Sequence, residues 1–538
     1  MLRFLSLSVV CLLFLLCCDA VSGRETSDER ARAVRARRAA MANSRPKAAK
    51  APRQAPAMRF LSDNTKGFFV NSLPNVPYDL GELYSGQLPV GNDTSRNMFF
   101  AFQPTVGAPV DELVVWFNGG PGCSSLEAFF QENGLISWQW GQTTPVINQY
   151  SWVNLTNVLW VEYPIGLGFS TGAVTATSEE ETAADFLAFF RNFQDTFGIS
   201  GLKTFIAGES YAGRYVPYVA DALLSAPDAD RFNVSGALMY DPVIGQYEYI
   251  GQTVAAVPFI EKHALLFNFN ATFMEQLKRE HEYCGYANYT DTFLTFPPLG
   301  QQPEIVRPFA EPGSGVNCDV WGKAYMAAYQ PNPCFNVYEI NSMCPLLGDP
   351  LGFPTDLQYQ YPGTGGVYFD RPDVKAAMHA PPNVSWSECS GPVFANKAGQ
   401  YRNGDLSADP IQSVLPRLIE ATNRVLIANG DFDFEILTDG TLLSIQNMTW
   451  GGKMGFQTAP ATPIDIRLPD LQYGAVFEAS GLGGYDGGDQ GQGVMGVQHF
   501  ERGLMWAETF QSGHMQPQFQ PRSSYRHLQW VLGRIEEL

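Results

Sequence analysis

Residues 208 to 215 read Gly208-Glu209-Ser210-Tyr211-Ala212-Gly213-Arg214-Tyr215, after an apolar run from Thr204 to Ala207 and before a helical pattern from Val216 to Leu224. A strand, a sharp turn and a helix in this order form a nucleophile elbow, where small flanking residues let the backbone fold tightly and expose a serine hydroxyl. Ser210 is therefore the candidate nucleophile. The alternative is a tight turn that happens to contain a serine, because the fifth position of the motif is Ala212 instead of glycine.

The composition is that of a globular protein. Hydrophobic residues make up 45% of the 538 residues and charged residues 17%, so the chain can build a large core. The formal net charge is -19. We expect no nucleic-acid partner, because binding to a phosphate backbone requires a basic surface.

The N-terminus has the pattern of a secretory signal peptide over residues 1–22, with an apolar run from Phe4 to Cys18 and small residues before a cleavage site. The run is shorter than the roughly 20 residues that span a bilayer, so we expect no stable membrane anchor. Residues 23–57 are rich in lysine, arginine and alanine and have almost no large apolar side chains. This composition predicts a basic propeptide or flexible linker.

Cysteines and glycosylation motifs agree with passage through the secretory pathway to an oxidising destination. Six cysteines follow the signal segment, an even number that suits disulfides in an oxidising compartment but leaves 15 pairings open. Seven Asn-x-Ser/Thr motifs are candidate glycosylation sites: Asn92, Asn154, Asn233, Asn270, Asn288, Asn383 and Asn447.

Apolar runs alternate with helical patterns along the chain. Residues 113–117, 158–161 and 424–428 read as strands buried on both faces. Ser178 and Glu181 form a capping box before a helix that ends at Gly198. The pattern predicts an α/β fold with a mostly parallel central sheet flanked by helices.

Two insertions interrupt this pattern. Residues 246–366 hold four cysteines and helical stretches such as 273–280, and we interpret them as a disulfide-containing helical cap. Residues 450–495 form a second, Gly-rich insertion that matches no phosphate-binding motif. Residues 58–538 would thus be one domain with two insertions.

A serine hydrolase built on an elbow of this kind carries its acid and histidine later in the chain, in that order. Asp431 and Asp433 follow the strand at 424–428, and either could orient the histidine. His514 lies in a loop after them. The backbone N–H of Tyr211 and the Gly-rich loop at 118–125 are the candidate oxyanion donors.

Several segments together resemble the ordered motifs of the serine carboxypeptidases, peptidases of the α/β-hydrolase fold. They are WFNGGPGCSS (116–125), NVLWVEYPIGLGFS (157–170), GESYAGRYVP (208–217), YFDRPDVKAAMHA (368–380), NGDFDFEILTDGT (429–441), ERGL (501–504) and SGHMQP (512–517). The resemblance covers residues 60–538, and members of the family also carry alanine at the position of Ala212.

The resemblance implies a role for each matching residue. It makes Ser210, Asp433 and His514 the catalytic triad and the backbones of Gly120 and Tyr211 the oxyanion hole. It assigns Asn118, Glu132 and Glu209 to the free C-terminal carboxylate of a peptide, with Met515 beside the site. Two carboxylates can receive a third only if they share a proton, so peptide binding should be best in acid.

The same resemblance implies three disulfides, Cys123 with Cys389, Cys284 with Cys344, and Cys318 with Cys334. Two positions depart from the family's pattern. Its usual Gly-Asn-Gly after the strand at 236–240 is Tyr240-Asp241-Pro242 here, and its valine after the Gly-His-Met motif is Gln516.

The expected activity is serine-type carboxypeptidase hydrolysis through an acyl-enzyme, on peptides and proteins with a free C-terminus. The alternatives are an acyltransferase on the same scaffold and a non-enzymatic protective or binding partner. We expect no cofactor and no metal, because the sequence lacks a His-Glu-x-x-His motif and paired Cys-x-x-Cys motifs. The sequence leaves the oligomeric state and the preferred C-terminal residue open.

Overall fold

The computed structural model describes residues 58–303, 315–342, 348–352, 366–395, 404–466 and 493–538. The expected signal peptide and basic segment, Cys344, and most of the Gly-rich run 481–493 lie outside these residues. The described residues all belong to one of two units of the chain, the one that spans 57–466 and 492–538.

Fourteen strands form one ten-stranded sheet and two short hairpins. They are β1 (Tyr84–Val90), β2 (Asp93–Gln103), β3 (Glu112–Phe117), β4 (Ile136–Ser137), β5 (Val146–Ile147), β6 (Asn157–Val161), β7 (Lys203–Glu209), β8 (Val234–Tyr240), β9 (Val425–Gly430), β10 (Thr449–Trp450), β11 (Lys453–Met454), β12 (Thr462–Asp465), β13 (Val494–Glu501) and β14 (Leu504–Thr509). The large sheet has the order β1-β2-β6-β3-β7-β8-β9-β14-β13-β12, and β4-β5 and β10-β11 form the hairpins.

The centre of the sheet is parallel, as the sequence predicted. The strands β6, β3, β7, β8, β9 and β14 run in the same direction, and antiparallel strands complete both edges. Every residue of β3, β6 and β9 is buried, because helices cover both faces of the sheet. The carboxyl ends of six neighbouring strands therefore meet at one edge.

Thirteen α-helices accompany the sheet in the described residues. They are Glu179–Phe197, Ala212–Leu224, Ala229–Phe232, Ala256–Lys262, Ala264–Phe267, Ala271–Tyr283, Tyr286–Phe293, Val320–Tyr329, Pro372–Ala377, Val414–Thr422, Thr438–Gln446, Gln516–Phe519 and Pro521–Val531. Two π-helices, Ala128–Glu132 and Tyr247–Thr253, also occur.

The helix after β6 has the predicted bounds but not the predicted cap. It spans Glu179–Phe197 and ends at Gly198, which has a left-handed φ of 66°. The side chain of Ser178 makes no capping hydrogen bond. Instead, Glu181 accepts hydrogen bonds from the backbone N–H and the hydroxyl of Thr177. The glutamate of the expected capping box therefore bonds to the residue before Ser178.

The cap insertion has its own apolar core. Helices from 256 to 329 enclose residues such as Phe259 and Leu277, and Phe434 from the loop after β9 is fully buried among them. The loop that carries Asp433 therefore contributes directly to the cap.

One disulfide in the cap differs from the expectation. Cys284 is bonded to Cys318, so the expected pairs Cys284 with Cys344 and Cys318 with Cys334 are both wrong. Cys334 is also in a disulfide. Cys284 and Cys318 are only 34 residues apart in the chain, both are buried in the cap core, and their Cα atoms lie 5.8 Å apart, a contact that a sequence motif does not reveal. The third expected bond, Cys123–Cys389, is present.

The second insertion begins as part of the sheet. Strand β12 pairs antiparallel with β13 and forms the edge of the large sheet. No helix among the described residues is long and apolar enough to cross a membrane. Of the candidate glycosylation sites, Asn154 and Asn447 are partly buried and the other five are exposed.

Candidate active site

Ser210 lies at a sharp turn between β7 and the helix Ala212–Leu224 and has a φ of 62°. Its backbone N–H donates to the carbonyl of Tyr240, and its carbonyl accepts from Gly213 and Val243, all at 2.9 Å. A Cβ on Gly208 would lie 2.4 Å from the carbonyl oxygen of Phe117. The turn therefore requires a small residue before it, and the strained backbone leaves the serine side chain partly exposed.

A buried ion network fixes the first turn of the helix behind Ser210. The guanidinium of Arg214 donates to Asp405 at 2.8 Å and to Asp409 at 3.0 Å. The hydroxyl of Tyr211 also donates to Asp405, at 2.8 Å. These contacts hold the backbone of Tyr211, a candidate oxyanion donor, against the segment 405–409.

His514 and Asp433 form the hydrogen-bonded pair that acyl transfer needs. The distance from His514 Nδ1 to Asp433 Oδ2 is 2.7 Å, and both side chains are buried. The carboxylate of Asp433 also accepts from the backbone N–H groups of Glu435 at 2.8 Å and Ile436 at 3.3 Å. Burial disfavours the imidazolium, but the contact with Asp433 outweighs it and raises the pKa of His514.

The alternative acid, Asp431, does not contact the histidine. Its carboxylate accepts from the backbone N–H of Ser512 at 3.4 Å, and burial raises its pKa to about 7. Asp433 is thus the aspartate in contact with His514.

The candidate residues converge because of the parallel sheet. Ser210, Asp433 and His514 follow β7, β9 and β14, whose carboxyl ends lie at the same edge. A residue from the cap also reaches this edge, since the ring of Tyr338 lies 5.1 Å from that of His514 and its carbonyl accepts from the His514 N–H. Sequence reasoning missed Tyr338, because nothing in the insertion's pattern marks it.

The Gly-rich loop after β3 packs against the elbow. A Cβ on Gly119 would lie 2.5 Å from both Ser210 Cβ and the backbone nitrogen of Tyr211, so the loop backbone approaches Ser210 directly. Gly120 has a φ of 109°, which favours glycine. The disulfide Cys123–Cys389 and a hydrogen bond from the Ser390 N–H to the carbonyl of Gly122 at 2.7 Å hold the loop in place.

A cluster of buried carboxyl groups lies next to Ser210. The side-chain amide of Asn118 donates from Nδ2 to Glu209 at 2.9 Å, to Glu127 at 3.1 Å and to Glu132 at 3.3 Å. The indole N–H of Trp116 donates to Asn118 Oδ1 at 2.7 Å and so fixes the orientation of the amide. Since an amide carries only two N–H bonds, the three carboxyl groups share them.

Burial strengthens the hold of these carboxyl groups on their protons. Burial raises the pKa of Glu132 to about 7 and the pKa values of Glu127 and Glu209 well above their usual range. The carboxyl groups of Glu132 and Glu209 are hydrogen-bonded to each other, which requires a proton between them. A further buried acid, Glu388, lies beside Glu127, and this pair was not predicted from the sequence.

The same three glutamates are spaced as metal ligands, with carboxylate oxygens within 4.8 Å of one another. The donor set fits a metal poorly, because Asn118 presents N–H groups to all three carboxyl groups and its oxygen is already bonded to Trp116. An N–H donor among protonated acids is suited to receive another carboxylate.

The two positions where the sequence departs from the family pattern lie behind the His514–Asp433 pair. Gln516, two residues after His514, donates from Nε2 to Asp241 Oδ2 at 2.7 Å, and both side chains are fully buried. Met515, between His514 and Gln516, is also buried.

Comparison with known proteins gives a consistent result. A family model described as serine carboxypeptidase matches residues 74–534. Serine-type carboxypeptidase F of Aspergillus niger is 59% identical over 484 residues, 89% of each chain, and a carboxypeptidase Y homolog of Arthroderma benhamiae is 38% identical over 491 residues, 90% of each chain. The solved structure of a prohormone-processing carboxypeptidase from Saccharomyces cerevisiae has a TM-score of 0.62 at 20% identity, covers 90% of this chain and 97% of that one, and supports the fold.

Proposed function

The chain belongs to the serine carboxypeptidase family, and from this premise we propose that Ser210, Asp433 and His514 are the residues with which it removes the last residue of a peptide. The observation that carries the proposal is the buried His514–Asp433 pair at 2.7 Å, at the sheet edge where Ser210 occupies the elbow. The enzyme is a hydrolase that acts on peptides with a free C-terminus.

The reaction proceeds through an acyl-enzyme. His514 Nε2 takes the proton of the Ser210 hydroxyl as the serine oxygen attacks the last peptide carbonyl. The backbone N–H groups of Gly120 and Tyr211 donate to the resulting oxyanion. His514 then passes the proton to the leaving amine, the C–N bond breaks, and water releases the acyl group by the reverse sequence. Asp433 stabilises the imidazolium during both steps.

The exopeptidase specificity comes from the carboxyl cluster. Asn118, Glu132 and Glu209 bind the terminal carboxylate of the substrate, with the shared proton preventing repulsion between like charges. Because the pKa values of Glu132 and Glu209 are raised by burial, this binding is strongest below pH 7. Met515 lies beside the bound residue.

The test uses the full chain and a peptide with a free C-terminus. Ser210→Ala should release no C-terminal amino acid and should not react with an organophosphonate probe, because both reactions need the hydroxyl. Ser225→Ala, at the far and exposed end of the same helix, is the matched control and should retain full activity. Release by Ser210→Ala would exclude Ser210 as the nucleophile. Transfer of the acyl group to an added alcohol in preference to water would favour the acyltransferase alternative.

The organisation of the remaining chain is part of the proposal. Residues 1–22 act as a signal peptide and residues 23–57 as a basic propeptide or linker, which directs the enzyme to the secretory pathway and an extracellular, vacuolar or lysosomal location. The exposed sequons Asn92, Asn233, Asn270, Asn288 and Asn383 suit glycosylation there.

A further inference from the structure

A second aspartate lies behind the catalytic pair. Asp241, the residue that follows β8, is fully buried and has a φ of 41°. Its Oδ1 accepts from the backbone N–H of Gly430 at 2.8 Å, and its carboxyl group is hydrogen-bonded to that of Asp433. Asp241 therefore contacts the same carboxyl group that His514 contacts.

Only one of the two carboxyl groups can be ionised in this arrangement, because two carboxylates share a hydrogen bond only through a proton. Among the described residues, both carboxyl groups accept from three donors, but one donor to Asp433 is His514 Nδ1, which can carry a positive charge, whereas the donors to Asp241 are the neutral N–H groups of Gly430, Asn429 and Gln516. Asp433 is therefore the better anion. Asp241 is then the neutral acid and donates to Asp433. Burial, with the charge of Asp433, raises the pKa of Asp241 well above its usual range, in agreement with this assignment.

Gln516 fixes the orientation of Asp241. The hydroxyl of Thr509 donates to Gln516 Oε1 at 2.8 Å, which turns Nε2 toward Asp241 Oδ2 at 2.7 Å. The two positions at which the sequence departs from the family pattern thus contact each other. Their pairing gives a continuous chain of hydrogen bonds that ends at His514.

We propose that Asp241 is a positioning residue that, as a neutral acid held by Gln516, donates a hydrogen bond to Asp433 and keeps that carboxylate directed at His514. The inference rests on the proposed roles of Asp433 and His514. Its consequence is that Asp241 and Asp433 together present a single negative charge to His514.

The charge of Asp241 should affect the pKa of His514, because both residues lie among other titratable groups. The titratable groups that face Asp241 are Asp433, Glu209 and Tyr240, and those that face His514 include Glu435 and Glu132. An ionised Asp241 would add a negative charge near His514 and raise its pKa further. The acid limb of the pH profile of kcat/KM, which follows the protonation of the histidine, would then lie at higher pH.

The experiment compares Asp241→Asn, Asp241→Leu, Gln516→Val and the double variant Asp241→Asn/Gln516→Val in the full chain, with kcat, KM and the pH profile as readouts. Asp241→Asn replaces one neutral hydrogen-bond donor with another. The Gln516 side chain can then rotate so that its amide oxygen accepts from the new Asn amide, because the Thr509 hydroxyl can bond to either the oxygen or the nitrogen of the Gln516 amide. We expect kcat within about threefold of wild type and an unchanged acid limb.

The other variants remove parts of the chain of hydrogen bonds. Asp241→Leu should lower kcat about 10- to 100-fold with KM unchanged, because the carboxyl cluster is not altered. Gln516→Val should lower kcat a few-fold, and Asp241→Asn in the same background should restore it. Thermal unfolding identifies a variant that does not fold, in which case Gln516→Val and the double variant carry the test.

Two outcomes would overturn the inference. A shift of the acid limb to lower pH in Asp241→Asn would show that an ionised carboxylate had been removed, and a wild-type kcat in folded Asp241→Leu would show that no positioning occurs. The rate of Ser210 labelling by the organophosphonate is measured in parallel. Labelling requires the His514–Asp433 pair but no bound peptide. A variant that is labelled at the normal rate but releases no amino acid from the peptide would therefore count against the proposed substrate and not against the role of Asp241.

Discussion

The side-chain amide of Asn118 donates to Glu209, with 2.9 Å between Nδ2 and Oε1. Asn118 follows β3 and Glu209 ends the neighbouring strand β7, so the contact joins the carboxyl ends of two central strands. The next residue after Glu209 is Ser210. The group that would bind the end of the substrate and the group that would attack it are therefore adjacent along one strained turn.

The pH dependence of substrate binding should follow Glu132. Because its folded-state pKa is raised to about 7, the protonated form that tolerates a substrate carboxylate prevails below pH 7 and is lost as the pH rises through 7. We expect KM to increase above pH 7 by up to about tenfold per pH unit. Glu132→Gln should flatten this dependence. An ester substrate without a free carboxylate is the control, and an equally steep rise with that ester would count against the cluster.

The two aspartates of the loop after β9 should differ sharply in effect. Asp433→Asn removes the carboxylate that contacts His514 Nδ1 and should lower kcat by about 10⁴-fold, as expected when the histidine loses its orienting acid. Asp431→Asn, two residues earlier, should change kcat less than tenfold because Asp431 contacts the backbone of Ser512 instead. Steady-state kinetics on both variants would show which aspartate serves His514. Similar losses in the two would refute the assignment of Asp433.

The buried arginine behind the elbow should be important for stability. Arg214→Ala leaves Asp405 and Asp409 buried without their cation and should destabilise the fold by about 3–5 kcal/mol. Arg279→Ala, whose side chain and partner Glu275 are both mostly exposed, should cost less than about 1 kcal/mol. Thermal or denaturant unfolding gives both values, and equal costs for the two arginines would contradict the network's role.

The disulfide Cys284–Cys318 should stabilise the cap. Its closure of a 34-residue separation predicts a loss of about 4 kcal/mol in the Cys284→Ser/Cys318→Ser variant, mainly through the entropy of the unfolded chain. The melting temperature of the variant tests the predicted loss of stability, and peptide mapping of the wild-type protein under non-reducing conditions tests the pairing. A mapped bond between Cys284 and Cys344 would disprove the pairing.

Strong local patterns predicted the fold and much of the site. Strands buried on both faces give continuous apolar runs, so β3, β6 and β9 could be placed from sequence to within one or two residues at each end. His514 could be chosen because it follows Asp431 and Asp433 in chain order, although physics alone did not separate the two aspartates. The helix after Ser210 was predicted from Val216 but begins at Ala212, since the elbow leads directly into it.

Contacts between distant residues could not be predicted. Gln516 and Asp241 are separated by 275 positions, and no periodicity relates them. Glu127 and Glu132 are five residues apart and would point in different directions on an α-helix. A π-helix over Ala128–Glu132, with its wider turn, brings both beside Asn118. Such a helix has no reliable sequence pattern.

Asp433 and Phe434 are neighbours in the chain but belong to different parts of the molecule. The side chain of Asp433 bonds to His514 at the sheet edge, whereas Phe434 is fully buried in the core of the cap. Because one peptide bond joins them, the position of Asp433 should depend on the packing of the cap. In a newly made chain whose cap has not yet packed, the Asp433 carboxylate would not be held against His514. Proteolytic competence would then appear only after the cap has folded.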